Sequence, residues 1–174
     1  MLYMWPSYGK NGEMQLKKTI RCLLPAVVIC AAALVLWHFS DQNAEQSNTL
    51  SRPLAESILS FFGVKATQEQ IKTANWIVRK AAHFSLFFCL GFGVAGTLQP
   101  VVKSRMVTFF CTVAVGVVLA VSDELHQLFS TGRYSSVWDI LLDSFGALCG
   151  LLIYFAVSII FRKRKAWRAK FGRG

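Results

Sequence analysis

The residues of this chain that could do chemistry are concentrated in a short polar stretch between two strongly apolar runs. The stretch and the start of the following run contain Asp123, Glu124, His126, Gln127, Arg133, Asp139 and Asp143. Carboxylates and imidazoles can transfer protons, and guanidinium and amide groups can hold an anion. Because charge beside or within a membrane span is costly, this concentration predicts a functional site.

Similar polar clusters lie at the ends of the other apolar runs. They contain Gln42, Arg79, Lys80 and His83. His83 lies three residues after Lys80, which places both on one helix face. Asp139 and Asp143 are four residues apart and also share a face. We predict that the clusters meet at one end of a helical bundle. Asp143 would stay ionised there if it pairs with Lys80, Arg79 or Arg133.

Four apolar runs supply the elements that must position these residues. They cover roughly residues 23–39, 81–98, 106–121 and 140–161. Hydrophobic residues make up 54% of the 174 and charged residues only 16%, an apolar excess that is unusual for a soluble domain. Each run is near or above the roughly 17 residues that a helical bilayer span needs. The sequence therefore predicts an all-α membrane protein with four transmembrane helices.

The distribution of basic residues predicts the orientation of these spans. The N-terminal segment carries four Lys and Arg residues, the short loop at 99–105 carries two, and the chain after residue 161 carries seven. With four spans these segments share one side, so both termini are predicted to be cytoplasmic and the polar clusters to face outward. The chain then divides into a basic N-terminal arm (1–21), a four-helix membrane domain (22–161) and a basic cytoplasmic tail (162–174).

The basic tail has two alternative explanations in a chain with a net charge of +10. A nucleic-acid partner would need such charge, but the tail directly follows a membrane span. Attraction to anionic lipids of the cytoplasmic leaflet, about 1 kcal/mol per basic residue, explains it more simply. We predict anionic lipids as the partner of the tail and no nucleic acid.

The first outer loop is predicted to contain a short amphipathic helix lying on the membrane. Ser51-Arg52-Pro53 resembles a helix start, with Ser51 as the N-cap and proline in the first turn. Gly63 suits the end of that helix. Thr67 and Gln70 have the spacing of a capping box, and the helix that they open is expected to run into the second span.

A metal centre is a weaker interpretation of the same residues. His83, His126, Asp123, Glu124 and Asp139 provide enough nitrogen and oxygen ligands in principle. However, the chain has no HExxH or comparable motif, and the adjacent Lys80 and Arg79 disfavour a cation. We therefore predict no metal and no cofactor.

Three motifs, in this order, closely resemble those of the VanZ-like family. They are Phe39-Ser40-x-Gln42, Arg79-Lys80-Ala81-Ala82-His83-Phe84, and Ser122-Asp123-Glu124-Leu125-His126-Gln127 with Gly132-Arg133 and Asp139-Ile140-Leu141-Leu142-Asp143. The resemblance covers roughly residues 25–160. It implies a bacterial membrane protein acting at the cell envelope, in a family named after a protein associated with resistance to the glycopeptide teicoplanin.

The chain departs from the family pattern at two points. Leu86 and Phe87 stand where many members carry an acidic and an aromatic hydroxyl residue. A mechanism that needs an extra base on that helix therefore does not transfer. Asp143 stands where relatives can carry Asn, so a role that needs its charge is not a property of the whole family.

The leading functional hypothesis is an outward-facing pocket, in the bacterial cytoplasmic membrane, that binds an anionic lipid or cell-wall precursor. Lys80 and Arg133 would hold the anion. The remaining ligand-binding candidates are Gln42, Gln127 and Asp143. His83, Asp123 and Asp139 are the catalytic candidates, as proton carriers, if the bound molecule is also modified.

The alternative hypothesis is a non-catalytic membrane protein whose polar network only packs helices. Such a protein would limit the access of glycopeptides or organise partners. The sequence leaves the reaction, the ligand and the oligomeric state open.

Overall fold

The structure is a computed structural model that describes residues 8–40, 44–129 and 135–171. It contains five helices in these ranges: α1 (Tyr8–Ser40), α2 (Ala44–Phe61), α3 (Gln68–Val102), α4 (Arg105–Gln127) and α5 (Val137–Phe171). No strand occurs within the described residues. Four of the helices are long and apolar enough to cross a membrane: α1 over Gly12–His38, α3, α4 and α5. The predicted all-α fold with four spanning helices is confirmed. The orientation of the termini stays a prediction.

The helices extend well beyond the apolar runs that predict them. The second run begins near residue 81, whereas α3 begins at Gln68. Its start is the predicted capping box: the Thr67 amide donates to the Gln70 side chain at 2.8 Å, and the Gln70 amide donates to Thr67 Oγ1 at 3.4 Å. The first turns of α3 therefore project past the apolar run as a polar extension.

The predicted start of α2 at Ser51 is wrong. The helix begins at Ala44, and Pro53 lies inside it. The residues before Ser51 include the good helix formers Ala44, Glu45 and Gln46, which outweigh the capping signal of a serine before a proline. The predicted end is confirmed, because Gly63 has a φ of 70° and the amide of Val64 donates to the Leu59 carbonyl at 3.0 Å. This is the Schellman arrangement that glycine favours.

The helix α3 is the centre of the bundle. It packs most extensively against α5 and also contacts α1, α2 and α4. The glycines Gly146 and Gly150 allow this close approach: a Cβ at Gly146 would lie 2.7 Å from the Phe84 carbonyl oxygen, and one at Gly150 would collide with that of Phe88. The sequence Gly146-x-x-x-Gly150 has the small-residue spacing typical of packed membrane helices, and it forms a helix-packing surface here. Phe87, one of the departures from the family pattern, is fully buried in this contact.

The bundle exposes apolar side chains and buries polar ones. Large apolar residues such as Phe110, Val118 and Ile160 are more than half exposed. In contrast, the inward side of α4 carries Thr108, Thr112, Gly116, Ala120, Asp123, Glu124 and Gln127. This distribution suits a protein whose outer surface meets lipid, because hydrocarbon accepts apolar side chains and polar groups must find partners inside.

Candidate functional site

The predicted site residues meet where α4 ends and α5 begins, against the first half of α3. We call His83, Asp123, Gln127 and Asp143 the His83 cluster. His83 comes from α3, Asp123 and Gln127 from the last turns of α4, and Asp143 from the second turn of α5. Asp123 and Gln127 share a face of α4 because they are four residues apart. The packing of α3, α4 and α5 brings all four side chains to the same point.

The geometry of the His83 cluster centres on the imidazole. His83 Nδ1 lies 3.8 Å from Asp123 Oδ2 and 3.8 Å from Asp143 Oδ2. Gln127 Nε2 donates a hydrogen bond to Asp123 Oδ2 at 2.8 Å. Asp123 is 0% exposed and Asp143 is 2% exposed, while the His83 side chain is 21% exposed. Two buried carboxylates therefore share one imidazole, which is the group closest to the surface.

Lys80 and Asp139 form a separate ion pair one helical turn away. Lys80 Nζ donates to Asp139 Oδ2, and the same ammonium lies 5.8 Å from the centre of the Trp76 ring. Both partners are partly buried. Of the bases considered as partners of Asp143, Lys80 pairs with Asp139 instead, and Arg133 lies outside the described residues. Asp143 faces His83. The catalytic candidate Asp139 accordingly lies with Lys80 and not in the His83 cluster.

Glu124 is a buried, structural residue of this region, and the sequence did not predict its burial. The sequence allows a solvated loop residue, yet Glu124 is 2% exposed. Its Oε2 accepts a hydrogen bond from the backbone amide of Ser136 at 2.8 Å, which joins the end of α4 to the start of α5. The four-residue spacing of small and polar residues along α4 is the signal that could have revealed its inward position. His126 stacks on Trp37 of α1 with ring centres 6.0 Å apart.

A cleft between α2 and the polar extension of α3 is a second feature of this end of the bundle. We call it the α2–α3 cleft; its volume is about 500 Å³. Its lining residues are Arg52, Gln68, Glu69, Ile71, Lys72, Asn75, Trp76 and Arg79. Three of these are basic and one is acidic. The sequence did not reveal this cleft, because it depends on how α2 docks on α3, although Gln68, Lys72, Asn75 and Arg79 follow each other at helical spacing.

Two predicted ligand-binding residues, Gln42 and Arg133, lie outside the residues that the structure describes. Their predicted roles stay predictions. The other six candidates, Lys80, His83, Asp123, Gln127, Asp139 and Asp143, lie at the same end of the bundle, divided between the ion pair and the His83 cluster.

The motif order and the four-helix architecture correspond to a known family. A family model described as VanZ/LLP1 matches residues 25–162, most of the chain. The chain belongs to the VanZ/LLP1 family. No curated protein and no solved structure matches it significantly. The long apolar helices and the family together identify this VanZ/LLP1 protein as a multi-pass membrane protein.

The arrangement offers this VanZ/LLP1 protein two kinds of chemistry. The bases of the α2–α3 cleft can attract an anion, because guanidinium and ammonium groups form strong charge-assisted hydrogen bonds to phosphate or carboxylate. The imidazole and carboxylates of the His83 cluster can exchange protons. The same three residues, His83, Asp123 and Asp143, have donor atoms within 4.8 Å of one another and form a group that could hold a metal ion.

Proposed function

We propose that this VanZ/LLP1 protein lies in the bacterial cytoplasmic membrane and binds the phosphate head group of an anionic lipid or lipid-linked cell-wall precursor. The binding site is the α2–α3 cleft together with Lys80 and Arg133, and it faces outward. The observation that carries this proposal is the cationic lining of the cleft, where Arg52, Lys72 and Arg79 surround a space of about 500 Å³.

The cleft combines the two properties that a lipid head-group site needs. Lys72 is exposed toward the cleft, and Arg52 is held in place by hydrogen bonds to Glu56 at 2.8 Å and Gln68 at 3.0 Å. Apolar side chains are exposed on both helices that form the cleft, including Trp76 on α3 and Leu54 on α2. A phosphate would contact the bases while the lipid chains cover these apolar groups. Trp76 suits this position, because tryptophan is common at membrane interfaces.

The His83 cluster lies next to this site along the same helix. Arg79 is one helical turn before His83, and Lys80 lies between them. A head group held by Arg79 and Lys80 would be close to the imidazole, the most accessible member of the cluster. His83 would then carry a proton to or from the bound head group, and Asp123 would orient the imidazole. Any modification of the ligand would begin at this point.

Titration by native mass spectrometry tests the binding. Full-length protein in detergent is titrated with phosphatidylglycerol, a long-chain prenyl phosphate and, as a zwitterionic reference, phosphatidylcholine. Lys72→Gln should weaken binding of the anionic ligands about tenfold, because one charge-assisted hydrogen bond contributes about 1.5–3 kcal/mol. Lys65→Gln is the matched control: it removes the same charge from the exposed α2–α3 loop but does not line the cleft.

The outcomes distinguish between the ligand classes and also test whether the cleft is the binding site. Preference for the prenyl phosphate indicates a cell-wall precursor, and equal binding of both anionic lipids indicates a general phosphate head-group site. Equal effects of the Lys72 and Lys65 substitutions would contradict a site in the cleft, because charge alone would then explain the binding.

A second candidate function rests on the hydrogen bonds between helices. Lys80–Asp139 joins α3 to α5, and Glu124–Ser136 joins α4 to α5, so the polar residues also hold the bundle together. In this alternative the protein is non-catalytic and limits antibiotic access or organises partners. The proposed link to lower glycopeptide susceptibility is compatible with both functions.

A further inference from the structure

The two aspartates of the His83 cluster are buried close to each other. Asp123 and Asp143 are at least 98% buried and have carboxylate oxygens within 4.8 Å of each other. Two ionised carboxylates in such a place repel each other and lose their hydration, so they need positive charge nearby. Asp143 Oδ1 accepts no hydrogen bond from any residue that the structure describes.

The spacing of the donor atoms points to what supplies this charge. His83 Nδ1 is 3.8 Å from one oxygen of each aspartate, which is too far for a hydrogen bond. Zinc binds imidazole nitrogen and carboxylate oxygen at about 2.0–2.2 Å, so two ligands on either side of an ion can stand up to about 4.2 Å apart. Both His–Asp distances are within this limit, so an ion fits between the imidazole and either carboxylate.

We propose that His83, Asp123 and Asp143 bind one divalent transition-metal ion, of the Mn²⁺ or Zn²⁺ type. One nitrogen and two oxygen donors suit these ions. Two ionised aspartates and one divalent ion sum to zero charge, which lowers the cost of burying the two carboxylates between membrane helices.

The surroundings of the three donors support ion binding. Gln127 Nε2 donates to Asp123 Oδ2 at 2.8 Å, the kind of hydrogen bond that orients a metal-binding carboxylate. Lys80 argued against a cation when only the sequence was considered. In the structure its ammonium is bound by Asp139, so the carboxylate compensates the positive charge of Lys80 and weakens its repulsion of an ion in the cluster.

The exposed edge of His83 gives the proposed centre a route to the outside. Three protein ligands leave coordination positions open for water or for an oxygen of a bound molecule, as in catalytic zinc sites. The bases that would bind the head group are not ligands of the ion, although His83 and Asp123 also have the proton-transfer role proposed above. Head-group binding and ion binding can therefore each fail without the other.

Metal binding to purified protein tests the inference. Full-length protein without a histidine tag is stripped with a chelator and titrated separately with Mn²⁺, followed by electron paramagnetic resonance, and with Zn²⁺, followed by elemental analysis. We expect one ion per chain and a higher melting temperature in its presence. Asp143→Asn, which keeps the shape of the side chain, should weaken binding by more than about tenfold.

The matched control is Glu124→Gln, which also removes a buried carboxylate at this end of the bundle and keeps the shape of the side chain. Glu124 is not one of the three proposed ligands and accepts a hydrogen bond from the Ser136 amide, so this variant should bind the ion within about twofold of the wild type, a difference well below 1 kcal/mol. Circular dichroism of both variants verifies that they are folded. The inference is overturned if wild-type protein binds neither ion, or if the two variants change the affinity equally.

Discussion

The contact between α3 and α5 has two zones built on different physical principles. In the first, around Gly146 and Gly150, small residues let the two backbones touch and Phe87 fills the space beside them. In the second, near the start of α5, the same two helices meet through Lys80–Asp139 and through His83 and Asp143.

The difference shows which zone stabilises the bundle. Close packing of small residues drives association of helices in a membrane, whereas buried ion pairs contribute little net stability after the loss of hydration. Apolar residues of similar size would pack the second zone at least as well. The charged zone is therefore better explained by binding than by stability, and substitutions in the two zones should have different consequences.

The largest effect is expected in the glycine zone. Gly150→Ala should destabilise the protein by about 3 kcal/mol, because its Cβ would collide with the Phe88 carbonyl oxygen and backbone atoms cannot move aside cheaply. Melting of purified protein in detergent measures this. Gly12→Ala in α1 is the control, since a Cβ there meets nothing within 4 Å. An unchanged melting temperature for Gly150→Ala would refute the close approach of α3 and α5.

An intermediate effect is expected where the two zones are joined to α4. Glu124→Ala should cost about 2 kcal/mol, because the Ser136 amide loses its acceptor and a buried space opens. Glu124→Gln keeps the shape and an acceptor oxygen, so it should cost less than about 1 kcal/mol. Thermal unfolding of both variants gives the comparison. Equal losses would mean that the charge of Glu124, and not its hydrogen bond, stabilises the junction.

Much of this architecture follows from the sequence. Apolar runs predict the four long helices, the Thr67–Gln70 spacing predicts the start of α3, and Gly146-x-x-x-Gly150 predicts a packing face. These features depend on local chemistry and on the period of the helix. The shared face of Lys80 and His83 on α3, and that of Asp139 and Asp143 on α5, are of the same kind, because helical spacing fixes which side chains of one helix share a face.

Other features depend on how helices rotate and dock, which no local pattern encodes. Lys80 pairs with Asp139 and not with Asp143, and a shift of one helical turn in the register of α3 against α5 would change this pairing. The early start of α2 and the cleft that it forms with α3 need the docked structure. The burial of Glu124 likewise follows from the rotation of α4 within the bundle.

The smallest effect on stability is expected for the double variant Lys80→Met/Asp139→Asn. This variant tests most directly whether the charged zone serves binding. Both charges of the pair disappear together, so neither is left buried without the other, and the melting temperature should stay close to that of the wild type. Binding of the prenyl phosphate per folded molecule, measured by native mass spectrometry, should fall about tenfold because Lys80 is lost as a head-group ligand. A double variant that loses several kcal/mol of stability while its folded fraction binds the lipid normally would contradict this account and make the zone a packing device.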